Sequence, residues 1–531
     1  MTLRATLPSQ VSPPEIALSA SGPHALAGCD VVALPVLPAE PRPQDEPGGE
    51  AGAPLLGPGA DAVAEALGMD LVALADALRV TGTVGEIATV PVPLGGPDQP
   101  DLRAVLLVGV GAHTPDDRRR AAAVVARATR DRACVATTLA ALDAEHGVEA
   151  VTTGLMLGSF DFAWRSAPPE HVPVRRAVLA GLPDAVDGRA GQPLRDRLAR
   201  AVAVAGASWQ ARTLATVPSN LKNPAWLAEQ AQAVGEAAGL TVEVWDEHRL
   251  AEVGFGGVLG VGQASATPPR LIRLDYRPRK AGRKTPTVVL VGKGITFDTG
   301  GLSIKPAQGM TTMKRDMTGG AVVISVLAAL AAVDCPFKVV GLVPAAENAI
   351  SGRAMRPGDV IRHYGGRTSE VTNTDAEGRL VMADALAWAA EQLDPVVMVD
   401  VATLTGAVKV ALGQQVGGLF ATHDALADRL LEAGTRSGEP LWRLPLYAGY
   451  EDRLASKVAD ADNAAGGPGA ITAALFLQHF TGGLPWAHLD IASVGDSPTD
   501  AYEYVEGPTG FGARLLLDWL ADPTALDGLA G

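Results

Sequence analysis

Cysteine is scarce in this chain of 531 residues: Cys29, Cys134 and Cys335 stand far apart in sequence, with no CxxC among them. That excludes a disulfide framework, leaves each as a small buried apolar residue, and suits a reducing cytosol. Aromatic residues make up only 4%, so Ala, Val, Leu and Gly must fill the core. A basic excess is missing too. With 44 Lys and Arg against 59 Asp and Glu the net charge is −15, which argues against general nucleic-acid binding, because phosphate contacts need clustered cations. Two basic runs, Arg118-Arg119-Arg120 and the stretch from Arg277 to Lys284, read as a solvated helix start and a solvated turn. No apolar run is long enough for a bilayer; the longest helical one, Ala321 to Val333, is too short. Met1 to Ala20 shows no apolar h-region, so no signal peptide and a cytoplasmic location are expected.

What the chain has is length and apolar content. Hydrophobic residues reach 47%, and 531 residues exceed one ordinary core, so two domains are expected. Short apolar strands alternate with Ala-rich helices over the first half: Val31–Pro35 and Ala104–Gly109 read as strands, Ala121–Arg130 and Leu194–Ala207 as helices. Pro41–Ala60, rich in Pro, Gly and acid, reads as an exposed or disordered loop. The boundary falls near Ser208–Pro218, in or beside a long connecting helix, giving domains 1–207 and 208–531. Beyond it come a helix opened by Pro224, strand 287–291, helix 319–333, strand 337–343, helix 380–393, strand 396–401, helix 469–480 and strand 487–491. Such alternation predicts an α/β chain of two domains: a small N-terminal α/β domain, and a larger C-terminal α/β domain whose mostly parallel central sheet is covered by helices.

Two clusters carry the chemistry. Asn373-Thr374-Asp375-Ala376-Glu377-Gly378-Arg379-Leu380 places acid, acid and guanidinium at alternating positions. In extended backbone all three point into one space, and carboxylates that close repel unless a cation sits between them. A divalent metal takes Asp and Glu oxygens readily. Upstream, the β-branched run Thr287–Val291 leads into Gly292-Lys293-Gly294-Ile295-Thr296-Phe297-Asp298-Thr299-Gly300-Gly301-Leu302-Ser303-Ile304-Lys305, and then Met313-Lys314-Arg315-Asp316. Lys293 and Asp298 therefore fall just past a strand's C-terminal end, where open α/β sheets put their ligands. Spacing alone leaves Lys293 open between a ligand and an ammonium paired with the acids. The nine histidines are scattered, and no Ser-His-Asp arrangement is suggested; His488 reads as a packed, hydrogen-bonded core residue.

The unbroken NTDAEGRL octapeptide and the lysine-to-aspartate spacing resemble the cytosol aminopeptidase family, the two-metal leucyl aminopeptidases, from about Ala211 to about Leu517. The resemblance implies a hydrolase that releases N-terminal residues, preferably apolar ones, from peptides with a free N-terminus. It implies two divalent ions per subunit, Mn or Zn first and Co or Mg next, and a hydroxide they generate as nucleophile. Asp298 and Glu377 would touch both ions, Asp375 would complete one site, and Asp316 with Lys293 the other. Lys305 would polarise the scissile carbonyl, and Arg379 would hold a bicarbonate that shuttles the proton; pairing of Arg379 with Asp375 or Glu377 is the alternative. Lys293, Asp298, Lys305, Asp316, Asp375, Met313 and the loop Thr403-Leu404-Thr405-Gly406 would bind substrate. The family forms a hexamer, for which the N-terminal domain would serve assembly. One segment departs from the pattern: after Asp490-Ile491-Ala492 the family usually has Gly, whereas Ser493-Val494-Gly495 follows here, which bears on side-chain preference. A competing reading is an oligomeric DNA-binding or structural protein with secondary peptidase activity.

Overall fold

A computed structural model describes residues 7–39, 54–96, 99–143, 145–185 and 187–529. Contacts divide it into two compact units, Leu7–Gly206 with Thr499–Glu506, and Ala207–Pro498 with Gly507–Gly531. Most of the loop expected over Pro41–Ala60 lies outside the described residues; its far end holds a two-residue strand and the start of helix Ala60–Leu67.

The first unit is built on seven strands: β1 Glu15–Leu18, β2 Val31–Leu37, β3 Leu55–Leu56, β4 Ile87–Pro91, β5 Ala104–Gly109, β6 Cys134–Thr137 and β7 Arg176–Leu179. They run in the order β1-β7-β6-β2-β5-β4, with β3 on β2. Only β4 and β3 pair antiparallel. β2 and β5 are apolar at every position because both faces are covered: Val31, Ala33, Leu106 and Val108 enter one core, Val32, Leu34, Val105 and Leu107 the other. Helices Pro115–Ala128 and Gly147–Gly158 press together, and a Cβ on Gly154 would stand 2.1 Å from the Arg119 carbonyl oxygen.

One expectation changes in this unit. Arg118 and Arg119 are not solvated: both are buried, Arg118 paired with Asp143 at 2.7 Å and Arg119 with Glu503 and Asp116 at 2.7 Å each. Paired acids, rather than water, satisfy their guanidinium groups. The Arg277–Lys284 stretch is an exposed turn, as read. Cys29 and Cys134, 105 positions apart, bring their Sγ atoms to 2.7 Å as free buried thiols.

The second unit adds β8 Thr241–Trp245, β9 Arg270–Tyr276, β10 Thr287–Gly292, β11 Gly294–Asp298, β12 Lys338–Asn348, β13 Val360–Arg362, β14 Thr368–Glu370, β15 Val397–Ala402, β16 Gly417–Ala421, β17 Leu441–Arg443, β18 Ala461–Asp462 and β19 Trp486–Asp490. Its large sheet runs β17-β16-β19-β15-β10-β12-β9-β8, with β11 on β12. The four central strands β19, β15, β10 and β12 are mutually parallel, and the outer β16–β19, β12–β9 and β9–β8 pairings are antiparallel. Helices Thr318–Ala329 and Glu377–Gln392 are buried along most of their length; Leu380, Val381 and Leu386 of the latter share a core with Val289, Val291 and Leu342. No helix among the described residues is long and apolar enough to cross a membrane.

β12 runs to Asn348, five residues past the expected end at 343. Pro344, a residue that stops most strand readings, sits inside it opposite Leu271 of β9. The octapeptide at 373–380 is not extended. Asn373 Oδ1 accepts from Asp375 N at 2.8 Å, closing a turn, and Glu377 opens a helix.

His488 lies opposite Asp400 across the β15–β19 pair, fully buried. Its Nδ1 is 2.5 Å from Asp400 Oδ1, Trp486 Nε1 donates to Asp400 Oδ2 at 2.8 Å, and the ring stacks on Phe420 and Trp486. Replacing His488 by Ala strands a buried carboxylate and should cost about 3 kcal/mol or more. Urea unfolding measures this; a midpoint equal to that of the unaltered chain would show that the pair contributes no stability.

Candidate metal and substrate site

The parallel strands end at one edge of the sheet, and the site assembles there. Lys293 follows β10, Asp298 closes β11, Asn348 closes β12, Thr403 follows β15 and Asp490 closes β19. This is where a parallel sheet leaves strand ends and loops free to bind. Asp375, Glu377 and Arg379 come from the turn and first turn of helix Glu377–Gln392, and Met313 and Asp316 from the short 3-10 turn Met313–Arg315 and the residue after it. All the residues singled out in sequence line one cavity of about 600 Å³: Lys293, Asp298, Lys305, Met313, Asp316, Asp375, Glu377, Arg379 and Thr403, Leu404, Thr405 and Gly406.

At its centre Asp298, Asp375 and Glu377 each offer a carboxylate oxygen within 4.8 Å of the others. Asp316 stands beside them through Lys293, whose Nζ lies 2.7 Å from Asp316 Oδ2 and 3.0 Å from Glu377 Oε1. Lys305 Nζ bridges Asp298, at 2.8 Å, and Asp375. In this geometry Lys293 is an ammonium among acids. Burial by itself would push its proton off, but Asp316, Glu377 and Asp298 outweigh burial and hold the group above its ordinary range. Lys305 is held up in the same way, against burial, by Asp298 and Glu377.

The acids show the opposite strain. Burial, then the neighbouring Asp298, pushes Glu377 up to about 8; burial also lifts Asp316 to about 6 against the pull of Lys293, and raises Asp375. Four carboxylates against two lysines leave −4 + 2 = −2. Glu377 Oε2 is buried with no hydrogen-bond partner among the described residues. An all-oxygen donor set with an uncompensated negative charge and an orphaned buried oxygen is the chemistry that accepts hard divalent cations or zinc.

Arg379 sits differently from the acids' other neighbours. Its Nη1 donates to the Asn463 carbonyl at 2.7 Å, and it makes no ion pair among the described residues, so pairing with Asp375 or Glu377 is not what the geometry shows. Burial lowers its pKa to about 10, opposed by Glu377, Asp490 and Asp462. A buried cation on the wall of an acidic cavity, without a carboxylate of its own, suits a small anion.

Several positions that hold the site were not assigned in sequence. Asn348 Nδ2 donates to Asp298 Oδ1 at 2.8 Å and to the Thr374 carbonyl at 3.0 Å. Thr374 Oγ1 donates to the Gly300 carbonyl at 2.6 Å and accepts from Ser303 N at 2.8 Å, stitching the two motifs together. Asp490 accepts from Leu404 N, Thr405 N and Thr405 Oγ1, which ties the loop after β15 to the end of β19. Thr403 Oγ1 donates to Asp316 Oδ1 at 2.7 Å. A Cβ on Gly378 would stand 2.4 Å from Lys293 Cε, so the octapeptide's glycine is the space in which Lys293 lies. A strand-end position was the available signal for Asp490; Asn348 lies beyond the expected strand end at 343.

Comparison with known proteins shows the family of this chain. The family model of the cytosol aminopeptidase catalytic domain matches residues 209–517, and that of the family's N-terminal domain matches 52–164. A probable cytosol aminopeptidase of Roseiflexus castenholzii is 44% identical over 436 residues, covering 80% of this chain and 88% of the relative; one of Rhodococcus jostii is 41% identical over 461 residues, covering 85% and 88%. Among solved structures, a mutant tomato leucine aminopeptidase superposes with TM-score 0.81 at 30% identity over 97% of this chain and 98% of its own. A bottromycin maturation enzyme in complex with Mn gives 0.78 at 35% identity, covering 93% and 99%. With more than half its length matched by the catalytic-domain model and its acids gathered as a metal site requires, the chain belongs to the cytosol aminopeptidase family, and it is a metalloaminopeptidase.

Proposed function

We propose that the chain is a two-metal leucyl-type aminopeptidase in which Asp298, Asp316, Asp375, Glu377 and Lys293 hold a pair of divalent ions, Mn or Zn before Co or Mg. The observation that carries this is the convergence of Asp298, Asp375 and Glu377 within 4.8 Å around an unpartnered Glu377 oxygen. When bound, the ions supply Lewis acidity and an activated water at neutral pH. Serving as a ligand requires Lys293 to give up the proton it shares with Asp316 and Glu377.

The protein's own groups account for the rest. Asp298, Asp316 and Asp375, which would hold the ions, would also draw a free α-amine, so a blocked peptide would lose its anchor. Lys305, fixed between Asp298 and Asp375, keeps its charge and lies where a carbonyl gaining negative charge is stabilised. Arg379 would hold bicarbonate, which would supply a proton shuttle beside the cavity. Met313 and the Thr403–Gly406 loop seat the first residue of the substrate. The first domain, 1–207, serves assembly of a homohexamer, and the enzyme works in the cytoplasm on peptides.

Leucine p-nitroanilide hydrolysis tests the site. Asp375→Ala and Glu377→Ala should abolish turnover while leaving circular dichroism unchanged, and an Asp375→Ala enzyme working at the unaltered rate would overturn the assignment. Chelation should remove activity and metal return should restore it. N-acetylated leucine peptides should not be cleaved.

Asn348→Ala removes the amide that aims Asp298, and should weaken metal binding about 10–100-fold by calorimetry. Undiminished affinity would mean that Asp298 needs no such support. Light scattering at micromolar concentration should give a hexamer; monomers would remove the assembly role.

A further inference from the structure

We propose that the ion pair between Arg315 and Asp496 sets the charge preference for the first side chain of the peptide, selecting uncharged residues; this rests on the aminopeptidase reading above. The cavity's lining is of two chemical kinds. One is the carboxylate and lysine cluster. The other comprises Met313, Arg315, Ala492, Gly495 and Asp496. The two adjoin. A Cβ on Gly495 would stand 3.4 Å from Thr403 Cγ2, and Thr403 Oγ1 reaches Asp316 Oδ1 at 2.7 Å. A peptide whose amine is anchored among the acids therefore brings its first side chain to this part of the cavity, where glycine at 495 lets the backbone pack close, since a Cβ there would stand 2.9 Å from the Ile491 carbonyl oxygen.

Arg315 Nη1 pairs with Asp496 Oδ1 in the cavity lining. Neither charge is a loose arm from solvent: the side chains are 19% and 35% exposed, and both backbones are fixed. Arg315 ends the turn that leads directly into Asp316. Asp496 begins the two-residue strand β20, Asp496–Ser497, paired with β21, Gly507–Pro508. Thr509 clamps the same segment, its Oγ1 donating to the Val494 carbonyl at 2.6 Å and its N–H to the Gly495 carbonyl at 3.1 Å. This is the segment whose sequence departs from the family pattern.

The two charges cancel each other, so an uncharged side chain enters without disturbing them. A lysine side chain is drawn to Asp496 and repelled by Arg315, a glutamate side chain the reverse, and either must break a formed pair before gaining a new one. Removing one partner turns this part of the cavity into a site for the charge that partner repelled.

The test is kcat/KM of the metal-loaded full-length enzyme on p-nitroanilides of Leu, Met, Lys and Glu. The unaltered enzyme should favour Leu and Met over both Lys and Glu; equal use of Lys or Glu overturns the proposal without any variant. Asp496→Asn should raise Glu relative to Leu about tenfold, Arg315→Gln should raise Lys relative to Leu about tenfold, and the exchange R315D with D496R should return the preference to uncharged residues. If the single variants change all four substrates by one common factor, the pair is a brace and selects nothing. An unaltered enzyme inactive on all four would refute the aminopeptidase reading itself, and this proposal with it.

Discussion

Four carboxylates confined to one buried pocket are the constraint on which the rest of this structure depends. Left bare, Asp298, Asp316, Asp375 and Glu377 would repel one another across a few ångströms of poorly screened space. Lys293 and Lys305 relieve part of that repulsion, each lodged between two acids. The relief is incomplete. Glu377 still holds its proton up to about 8, burial being the first cause and Asp298 the second. A protein keeps such a cluster only where the compensating charge comes from outside the chain, which is the chemical basis for assigning it to divalent ions.

The fold answers the constraint by bringing stiff elements to one place. Each central parallel strand delivers one group to the same edge, and each group is held by a neighbour from a distant segment. Asn348 fixes Asp298, Thr403 fixes Asp316, Asp490 fixes the loop after β15, and Asn463 Nδ2 donates to the Asn373 and Ala376 carbonyls beneath the octapeptide. These bonds fix the acids in place, so they cannot splay apart and solvate separately. Losing a ligand-orienting contact of this kind typically costs a metal site about 10–100-fold in affinity.

The central elements and the site residues were legible because their signals are local. The run Thr287–Val291 is a buried strand by composition alone, and the octapeptide is specific enough to name a family. The supporting residues were not legible, because their partners are remote: nothing near Asn348 in sequence points to Asp298, 50 positions away, and nothing near Arg119 points to Glu503, 384 positions away. Pro344 hid the end of β12, and with it Asn348. The burial of Arg118 and Arg119 escaped for the same reason. An arginine run looks solvated until its acids arrive from elsewhere.

The octapeptide itself shows why local pattern can identify a site and still misplace its geometry. Alternation of Asp375, Glu377 and Arg379 reads as a strand face, and in a strand the guanidinium would lie on the acids' face, next to Glu377, and pair with it. The Asn373 turn and the helix start prevent this. Two residues along a helix turn the side chain by about 200°, so Arg379 leaves Glu377 and finds the Asn463 carbonyl instead. Glu377, meanwhile, opens the helix, where the partial positive charge of the unpaired N–H groups favours a carboxylate. The helix start therefore separates what a strand would have neutralised: it leaves the acids with charge to bind cations, and the arginine with charge to bind an anion. Gly378, between them, makes room for Lys293 to come close to Glu377. The same eight residues in extended backbone would pair Arg379 with its nearer acid, leaving a single acid charge to bind a cation and none on the arginine to bind an anion.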